Sequence, residues 1–323
     1  MAHFIRVMDV PNSRSSHRQP IPKSGGVAIV AAFVVGSLII YFFASVARIE
    51  DREFWGFLAC AVLLAVVSFI DDVTQKSFAA KFLTQMLCAG VVLALGVIVT
   101  RLWVPLFGEV ELGWASYLFT FLWIIGLTNA YNFMDGLDGL VGGVAVIAAV
   151  FLCAIAFSQR SYFVYATSYA LLASVAGFLI FNLPPARVFM GDVGSAFLGF
   201  TFATLAVIGA SFDVGHLSFY VVPMLLFQFI FDTALTFVRG LLRGGKVYLP
   251  HRSHLYQLLN RMGYSHRAVS LFHYAVAVTQ GIGAFLLVGL EPQNRVYAFL
   301  PFLVFNAAYA GYVLRRAKAM KLI

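Results

Sequence analysis

NAYNFMDGLDGLVGGVAVIAAVFLCAIAF, residues 129–157, holds both halves of the problem posed by this chain. From Gly139 to Phe157 it has no charged and no amide side chain. A bilayer core of roughly 30 Å takes about 20 such residues in a helix. Immediately before that run stand Asn129, Asn132, Asp135 and Asp138, short polar side chains packed close to its start. An apolar span therefore begins directly at a polar cluster.

The same pattern recurs along the chain. Ten runs approach the spanning length, near 25–47, 54–70, 79–100, 116–134, 139–157, 162–181, 194–211, 216–238, 268–289 and 295–314. Several are punctuated by Gly, which membrane helices tolerate. Composition agrees: 61% of residues are apolar and 11% charged, against about 25% charged in an ordinary soluble domain. Length alone would give roughly two soluble domains. A lipid-embedded bundle can instead be one unit, so the expectation is an all-α, polytopic transmembrane helical bundle of about ten spans in a single domain, residues 1–323. Neither an internal repeat nor a low-complexity linker is evident. The first 24 residues are polar with three prolines and lack the apolar core of a secretory signal. Cys60, Cys88 and Cys153 each lie inside an apolar run with no zinc spacing, which reads as small buried hydrophobes.

Charge gives a direction. With residues 1–24 on the cytoplasmic side, that tail and the same-side segments 71–81, 129–138, 182–193, 239–267 and 315–323 hold 17 of the 22 Lys and Arg. Arg48, Arg52, Arg101, Arg160 and Arg295 fall on the other side. The bias places both termini in the cytoplasm. The net charge of +8 is explained by this sorting and points to no nucleic acid. All five Glu fall on the outer side, with Asp51 and Asp213. The seven remaining acids are all Asp: 9, 71, 72, 135, 138, 192 and 232. Six lie in or beside inner segments, a face furnished with short, rigid carboxylates.

Five inner-face motifs follow, each with a plain reading beside a chemical one. Asp71-Asp72 ends the second run; two adjacent carboxylates repel unless a cation or proton sits near them, or they are a solvated helix end. Asn129, Asn132 and Asp135 are three apart and share a face if the helix continues. They could hold a base, a sugar or the water shell of Mg²⁺, or simply cap the helix. Gly191-Asp192-Val-Gly194-Ser195 opens the seventh run and offers a carboxylate beside a positive helix end, suited to a phosphate–metal complex or to an N-cap. His251-Arg252-Ser253-His254 sits in the largest inner loop, where the neighbouring cations favour an anion over a metal, or only obey the positive-inside rule. The Pro-rich, basic stretch 9–26 could clamp phosphate or bind anionic lipid. All five fall on one expected face. Phosphoryl transfer needs this mixture of carboxylates for metal and cations for phosphate. Asp232 lies inside the eighth run; an intramembrane acid is a functional candidate by default, but a buried pair with a polar neighbour accounts for it as well, and it stays outside the proposed site.

These residues resemble the polyprenyl-phosphate N-acetylhexosamine-1-phosphate transferases, a family that includes the phospho-MurNAc-pentapeptide translocases and the initiators of O-antigen and enterobacterial common antigen synthesis. The matching stretches are DVPNSRSSHRQPIPKSGG at 9–26, DD at 71–72, AKFLTQ at 80–85, NAYNFMDGLDGL at 129–140, FMGDVGS at 189–195 and HRSH at 251–254. They occur in family order and span nearly the whole chain. The O-antigen branch is the nearest in flavour.

The resemblance implies a Mg²⁺-dependent enzyme, with Mn²⁺ as the alternative ion. It would move a sugar 1-phosphate from a UDP-N-acetylhexosamine to undecaprenyl phosphate on the cytoplasmic face of the bacterial inner membrane. UMP and a polyprenyl-diphospho-sugar would be the products. It implies Asp192 as a direct metal ligand and Asp71, Asp72 and Lys81 as the catalytic group at the metal and acceptor phosphate. Asn129, Asn132 and Asp135 would shape the nucleotide site, and His251, Arg252 and His254 would hold the donor diphosphate. Membrane lipids are expected partners, and a homodimer is compatible with the family. Family members carry an apolar span before the Asp-x-Pro-Asn loop, whereas eight residues precede Asp9 here, so the resemblance implies one further helix upstream. Tyr256 and Gln257 follow His254 where some members have more histidines, which bears on donor choice. The competing class is a secondary transporter, which would place its polar residues near the midplane and show paired repeats.

Overall fold

Lipid-facing backbone must satisfy its own hydrogen bonds, so long apolar runs have little choice but helix. The computed structural model describes residues 8–9, 20–44, 47, 49–74, 78–213, 215–242 and 253–323. In chain order the helices are α1 (Gly25–Phe43), α2 (Asp51–Thr74), α3 (Phe78–Ala94), α4 (Ala115–Met134), α5 (Leu140–Ser158), α6 (Tyr162–Asn182), α7 (Gly191–Ser211), α8 (Val221–Leu225), α9 (Phe227–Leu242), α10 (Leu255–Arg261), α11 (His266–Leu287) and α12 (Leu300–Ala319). A 3₁₀ turn at Pro292–Phe299 leads into α12. Two short antiparallel pairs complete the described fold: β1 (Met8–Asp9) with β2 (Ile21–Pro22), and β3 (Arg101–Val104) with β4 (Gly108–Glu111).

The expected all-α polytopic class is the one found. Among the described residues, seven helical stretches are long and apolar enough to cross a membrane: α1, α2, α5, α6, α7, α11 and Pro292–Ala319. The other three apolar runs are helical but fall short for separate reasons. α3 has 17 residues and stops at Ala94 rather than at 100, because the chain turns at Gly96 (φ +82°) and heads into β3. α4 is long enough, yet Asn129 and Asn132 dilute its apolar character. The eighth run divides into α8 and α9 at Leu226.

α7 is the hub. Nearly all of its residues are buried, and it packs on α1, α2 and α4. Between lipid-solvated helices the hydrophobic effect gives no preference for helix over lipid, so close packing and hydrogen bonds hold the bundle. The start of α1 is tied to the start of α7 by backbone bonds: Gly25 N–H to Phe189 O and Gly26 N–H to Met190 O, both 3.0 Å, and Phe189 N–H to Pro22 O at 2.8 Å. A Cβ at Gly26 would stand 2.3 Å from Gly194 N and 2.4 Å from Met190 O, both backbone atoms that cannot swing aside. The three cysteines are buried and unpaired, as expected of small hydrophobes; Cys60 and Cys88 face each other between α2 and α3.

Gly26→Ala should therefore force α1 away from α7 and lower the melting temperature of the purified protein markedly, an overpacking cost of about 1–3 kcal/mol or more. Gly177→Ala on α6, where a Cβ meets nothing within 4 Å, should change stability by no more than about 1 kcal/mol. Equal melting temperatures for the two variants would contradict this packing.

Candidate active site

The first turn of α7 points its free N–H groups and positive dipole end at one end of the bundle. Asp192 stands in that turn. Its carboxylate is gripped from two other helices: Lys81 Nζ of α3 makes a very close ion pair with Oδ2, and Asn132 Nδ2 of α4 donates to Oδ1 at 3.0 Å. Asn132 Nδ2 also donates to Ser195 Oγ at 2.8 Å. The Asp192 backbone N–H donates to Asp72 Oδ2 at 3.1 Å, which draws in the end of α2. Lys81 is buried and lies 3.8 Å from Asp71 Oδ2. Lys23, just before α1, stands 3.9 Å from Asp72 Oδ1 and 3.6 Å from Asp9 Oδ1.

Asp135 caps the C-terminus of α4 and joins the same field. Burial, then the negative charges of Asp192 and Asp72, push its carboxyl up to about 7, with Lys23 pulling the other way. Four carboxyl groups, of Asp71, Asp72, Asp135 and Asp192, stand against two lysines, Lys23 and Lys81. Asn129, one turn deeper on α4, donates to Gln85 Oε1 at 2.7 Å and to Ile125 O at 2.8 Å, so it points to α3 rather than to Asp192.

The structure therefore gathers Asp71, Asp72, Lys81, Asn132, Asp135 and Asp192, with Asn129 beside them. Lys23, Gln85 and Ser195 join the group as well. Each sits inside a motif quoted above, but spacing alone did not distinguish it from its neighbours. His251 and Arg252 lie outside the described residues. His254 is buried against α9, with Nδ1 3.3 Å from Asp232 Oδ1 and its ring stacked over Phe133 at 6.0 Å between centroids. It meets the cluster through Phe133, two residues before Asp135.

Beside the cluster an apolar groove of about 450 Å³ runs between α3, α4 and α9. Phe82, Trp123, Phe133, Ile230, Ala234 and Phe237 line it, and Asn129 stands among its polar lining. Several of its walls are exposed apolar side chains, Leu122, Phe133 and Phe237 among them. The arrangement offers an apolar channel opening beside carboxylates and lysines.

Among the described residues no group of three His, Cys, Asp or Glu side chains is already drawn together as a metal cage. The donor chemistry nonetheless suits a hard divalent ion, because every candidate ligand is an oxygen and the carboxylates are under-neutralised. Mg²⁺ keeps several waters and binds through one or two carboxylates plus substrate phosphate, so it needs no complete protein cage.

Comparison with known proteins follows the same stretches. The glycosyl transferase family 4 pattern matches residues 54–210. A probable undecaprenyl-phosphate N-acetylglucosaminyl 1-phosphate transferase of Bacillus subtilis is 35% identical over 284 residues, covering 88% of this chain and 78% of its own. A decaprenyl-phosphate N-acetylglucosaminephosphotransferase of Mycobacterium leprae is 29% identical over 322 residues, 91% of this chain and 80% of its own. A phospho-N-acetylmuramoyl-pentapeptide-transferase of Listeria monocytogenes is 35% identical over 199 residues, 58% of this chain and 60% of its own.

Asp138, three residues beyond Asp135, has a different task. Its Oδ2 accepts from Ala186 N–H at 3.0 Å and its Oδ1 lies 3.1 Å from His266 Nδ1. Ser270 Oγ and Tyr274 OH hold the carbonyls of Asp138 and Gly139. This pins the 135–139 turn to α11 and to the α6–α7 connection. Burial raises the Asp138 carboxyl, but the His266 and Ala186 contacts outweigh it and hold the group below its ordinary value. A carboxyl depressed in the folded state contributes stability above its unfolded value and loses it as pH falls. Asp138→Asn should thus lower the melting temperature at neutral pH, with the gap to the parent closing as pH falls through about 3.8 and below. A gap that stays constant with pH would contradict the charge-assisted role.

Proposed function

We infer the activity from one premise: the chain belongs to glycosyl transferase family 4, and it is a multi-pass membrane protein. It transfers N-acetylhexosamine 1-phosphate from a UDP-sugar to a polyprenyl phosphate, releasing UMP and leaving a polyprenyl-diphospho-sugar. The names of two relatives favour N-acetylglucosamine as the sugar and fit the first step of an envelope glycan. Only the flavour of the motifs favours O-antigen as that glycan. The observation that carries the proposal is the joining of Asp71, Asp72, Lys81, Asn132 and Asp192 at one end of the bundle, beside an apolar groove.

The groove takes the prenyl chain. Its apolar walls on α4 and α9 let an apolar tail lie along the bundle while the phosphate reaches the cluster. Lys81, buried between Asp71 and Asp192, is placed to swing a charged-assisted contact onto that phosphate. An acceptor phosphate oxygen attacks the sugar-bearing phosphorus of the donor, the bridging P–O bond breaks, and UMP leaves with the electron pair. If the acceptor arrives singly protonated, a carboxylate takes the proton. Asp71 suits that work better than Asp72: its side chain is 21% exposed against 6%, and Asp72 already accepts from Asp192 N–H.

Asp192 would hold Mg²⁺ or Mn²⁺, with Asp72 and Asp135 in the same electrostatic field. When bound, the ion offsets the negative oxygens of both substrates. Asn132 keeps Asp192 oriented through two hydrogen bonds. His254, with Arg252 and His251, receives the donor diphosphate. The clustering of Lys and Arg on the same side as this site favours an orientation in the bacterial inner membrane with the site facing the cytoplasm, where UDP-sugars are found.

Purified protein given Mg²⁺, polyprenyl phosphate and labelled UDP-N-acetylglucosamine should release UMP and make a labelled lipid. Asp192→Asn should cut turnover by about 10²- to 10³-fold with the fold intact, the scale seen when one electrostatic partner of a transition state is lost. No turnover with any N-acetylated UDP-hexosamine, or full activity in Asp192→Asn, would contradict the proposal.

A further inference from the structure

Asp232 is an acid of the inner set that the site above does not use. It sits in α9, fully buried, and its hydrogen bonds among the described residues run to the 254–256 segment and to its own helix. Oδ1 accepts from Leu255 N–H at 3.0 Å and Oδ2 from Tyr256 N–H at 3.3 Å. His254 Nδ1 lies 3.3 Å from Oδ1, and Thr236 Oγ1 donates to Oδ1 at 3.2 Å. An aspartate on one helix thus caps the first turn of another, α10, across the loop between them. A buried carboxylate is tolerated only when its lone pairs are filled in this way.

The grip does not stop at α10. Tyr256 is fully buried and donates its OH to Phe133 O at 3.0 Å, while Gln257 Nε2 donates to the same hydroxyl at 3.1 Å. Next along the chain, a Cβ at Gly136 would stand 2.5 Å from the Tyr256 hydroxyl. Only glycine lets the Tyr256 ring reach that depth. The turn that carries Asp135 is therefore set against a tyrosine whose backbone is held by Asp232. On α9 itself, Asp232 and Thr236 face inward, while Ile230, Ala234 and Phe237 line the apolar groove. Residues two apart on a helix point to opposite sides, so one helix has the groove on one face and the His254 clamp on the other.

We infer that Asp232 is a positioning residue: it fixes the His254 imidazole directly and, through Tyr256, fixes the Phe133–Gly136 turn beside Asp135. A carboxylate on Nδ1 selects the ring orientation and leaves Nε2 as the nitrogen that can meet a phosphate. The inference rests on the transferase reading for its kinetic consequence but not for its structural one. Because His254 lies on the donor side, loss of Asp232 weakens use of the UDP-sugar more than use of the polyprenyl phosphate, even though Phe133 also lines the prenyl groove.

The test uses Asp232→Asn, Tyr256→Phe and the double variant in the full chain. Asp232→Asn keeps the shape but turns an amide NH₂ toward one of the two backbone donors. Hydrogen exchange should speed up at the 255–261 amides and at 133–139 in Asp232→Asn, with helices α5–α7 unchanged. kcat/KM for the UDP-sugar should fall on the order of 10²-fold, with KM for polyprenyl phosphate within a few-fold of the parent. The double variant should be little worse than Asp232→Asn alone, because both act through one path. A loss of exchange protection confined to 255–261, with parental kinetics for both substrates, would reduce Asp232 to a structural cap and overturn the inference. Fully multiplicative losses in the double variant would also overturn it. Should Asp232→Asn fail to fold, Tyr256→Phe alone must still raise exchange at 133–139 and weaken donor use; parental behaviour there overturns the inference. If the parent protein turns over no UDP-sugar, the transferase reading fails, while unchanged exchange at 133–139 in either variant is what would sink the positioning role.

Discussion

Carboxylates from α2, α4 and α7 are brought together at one end of a bundle whose sides face lipid, and like charges so placed repel with little solvent to screen them. Two lysines answer part of that repulsion. Lys81 is wedged against Asp192 and Asp71, and Lys23 reaches Asp72 and Asp9. Asp135 lies in the same field, and its carboxyl is pushed up to about 7, by burial first and then by its acidic neighbours. The backbone is arranged around the same constraint: the α7 N-terminus turns its positive end to Asp192, and the chain before α1 is stitched to 189–190 so that Lys23 arrives where it does.

The spans were legible because lipid leaves a chain only one way to bury its backbone, and a run of apolar residues records that directly. Legibility failed where a second demand acted on the same residues. α4 spends two positions on Asn129 and Asn132, and its apolar signal weakens for that reason. The third run continues as apolar β-branched residues after Ala94, which composition cannot tell from helix. The break at Leu226 leaves the eighth run just as apolar as a continuous helix would be. In the site, residue types and loop positions could be read, but pairings could not. Lys81 and Asp192 are 111 residues apart, and Asn129 turns out to face Gln85 rather than the carboxylates. Asp232 was visible as an intramembrane acid, yet its partners are backbone N–H groups 23 and 24 residues on, which no side-chain pattern records.

α9 ties the account together. One face borders the apolar groove and the other holds α10, so the helix that would feel a prenyl chain also carries the clamp on His254. The 135–139 turn is held from both sides, by the contact of its Asp138 with His266 of α11 and by Tyr256 from α10. A turn fixed twice can keep Asp135 near the other carboxylates despite the repulsion between them, which is the kind of preorganisation electrostatic catalysis requires.

The central claim is that the excess negative charge at this end of the bundle is answered by a divalent ion held through Asp192. Manganese titration of the metal-free protein, followed by electron paramagnetic resonance in the presence of a UDP-sugar, reads that claim without relying on turnover. The account predicts one bound Mn²⁺ per chain, displaced by excess Mg²⁺ and lost in Asp192→Asn. Folded protein that binds no ion beyond background, or that binds it equally well in Asp192→Asn, would contradict it.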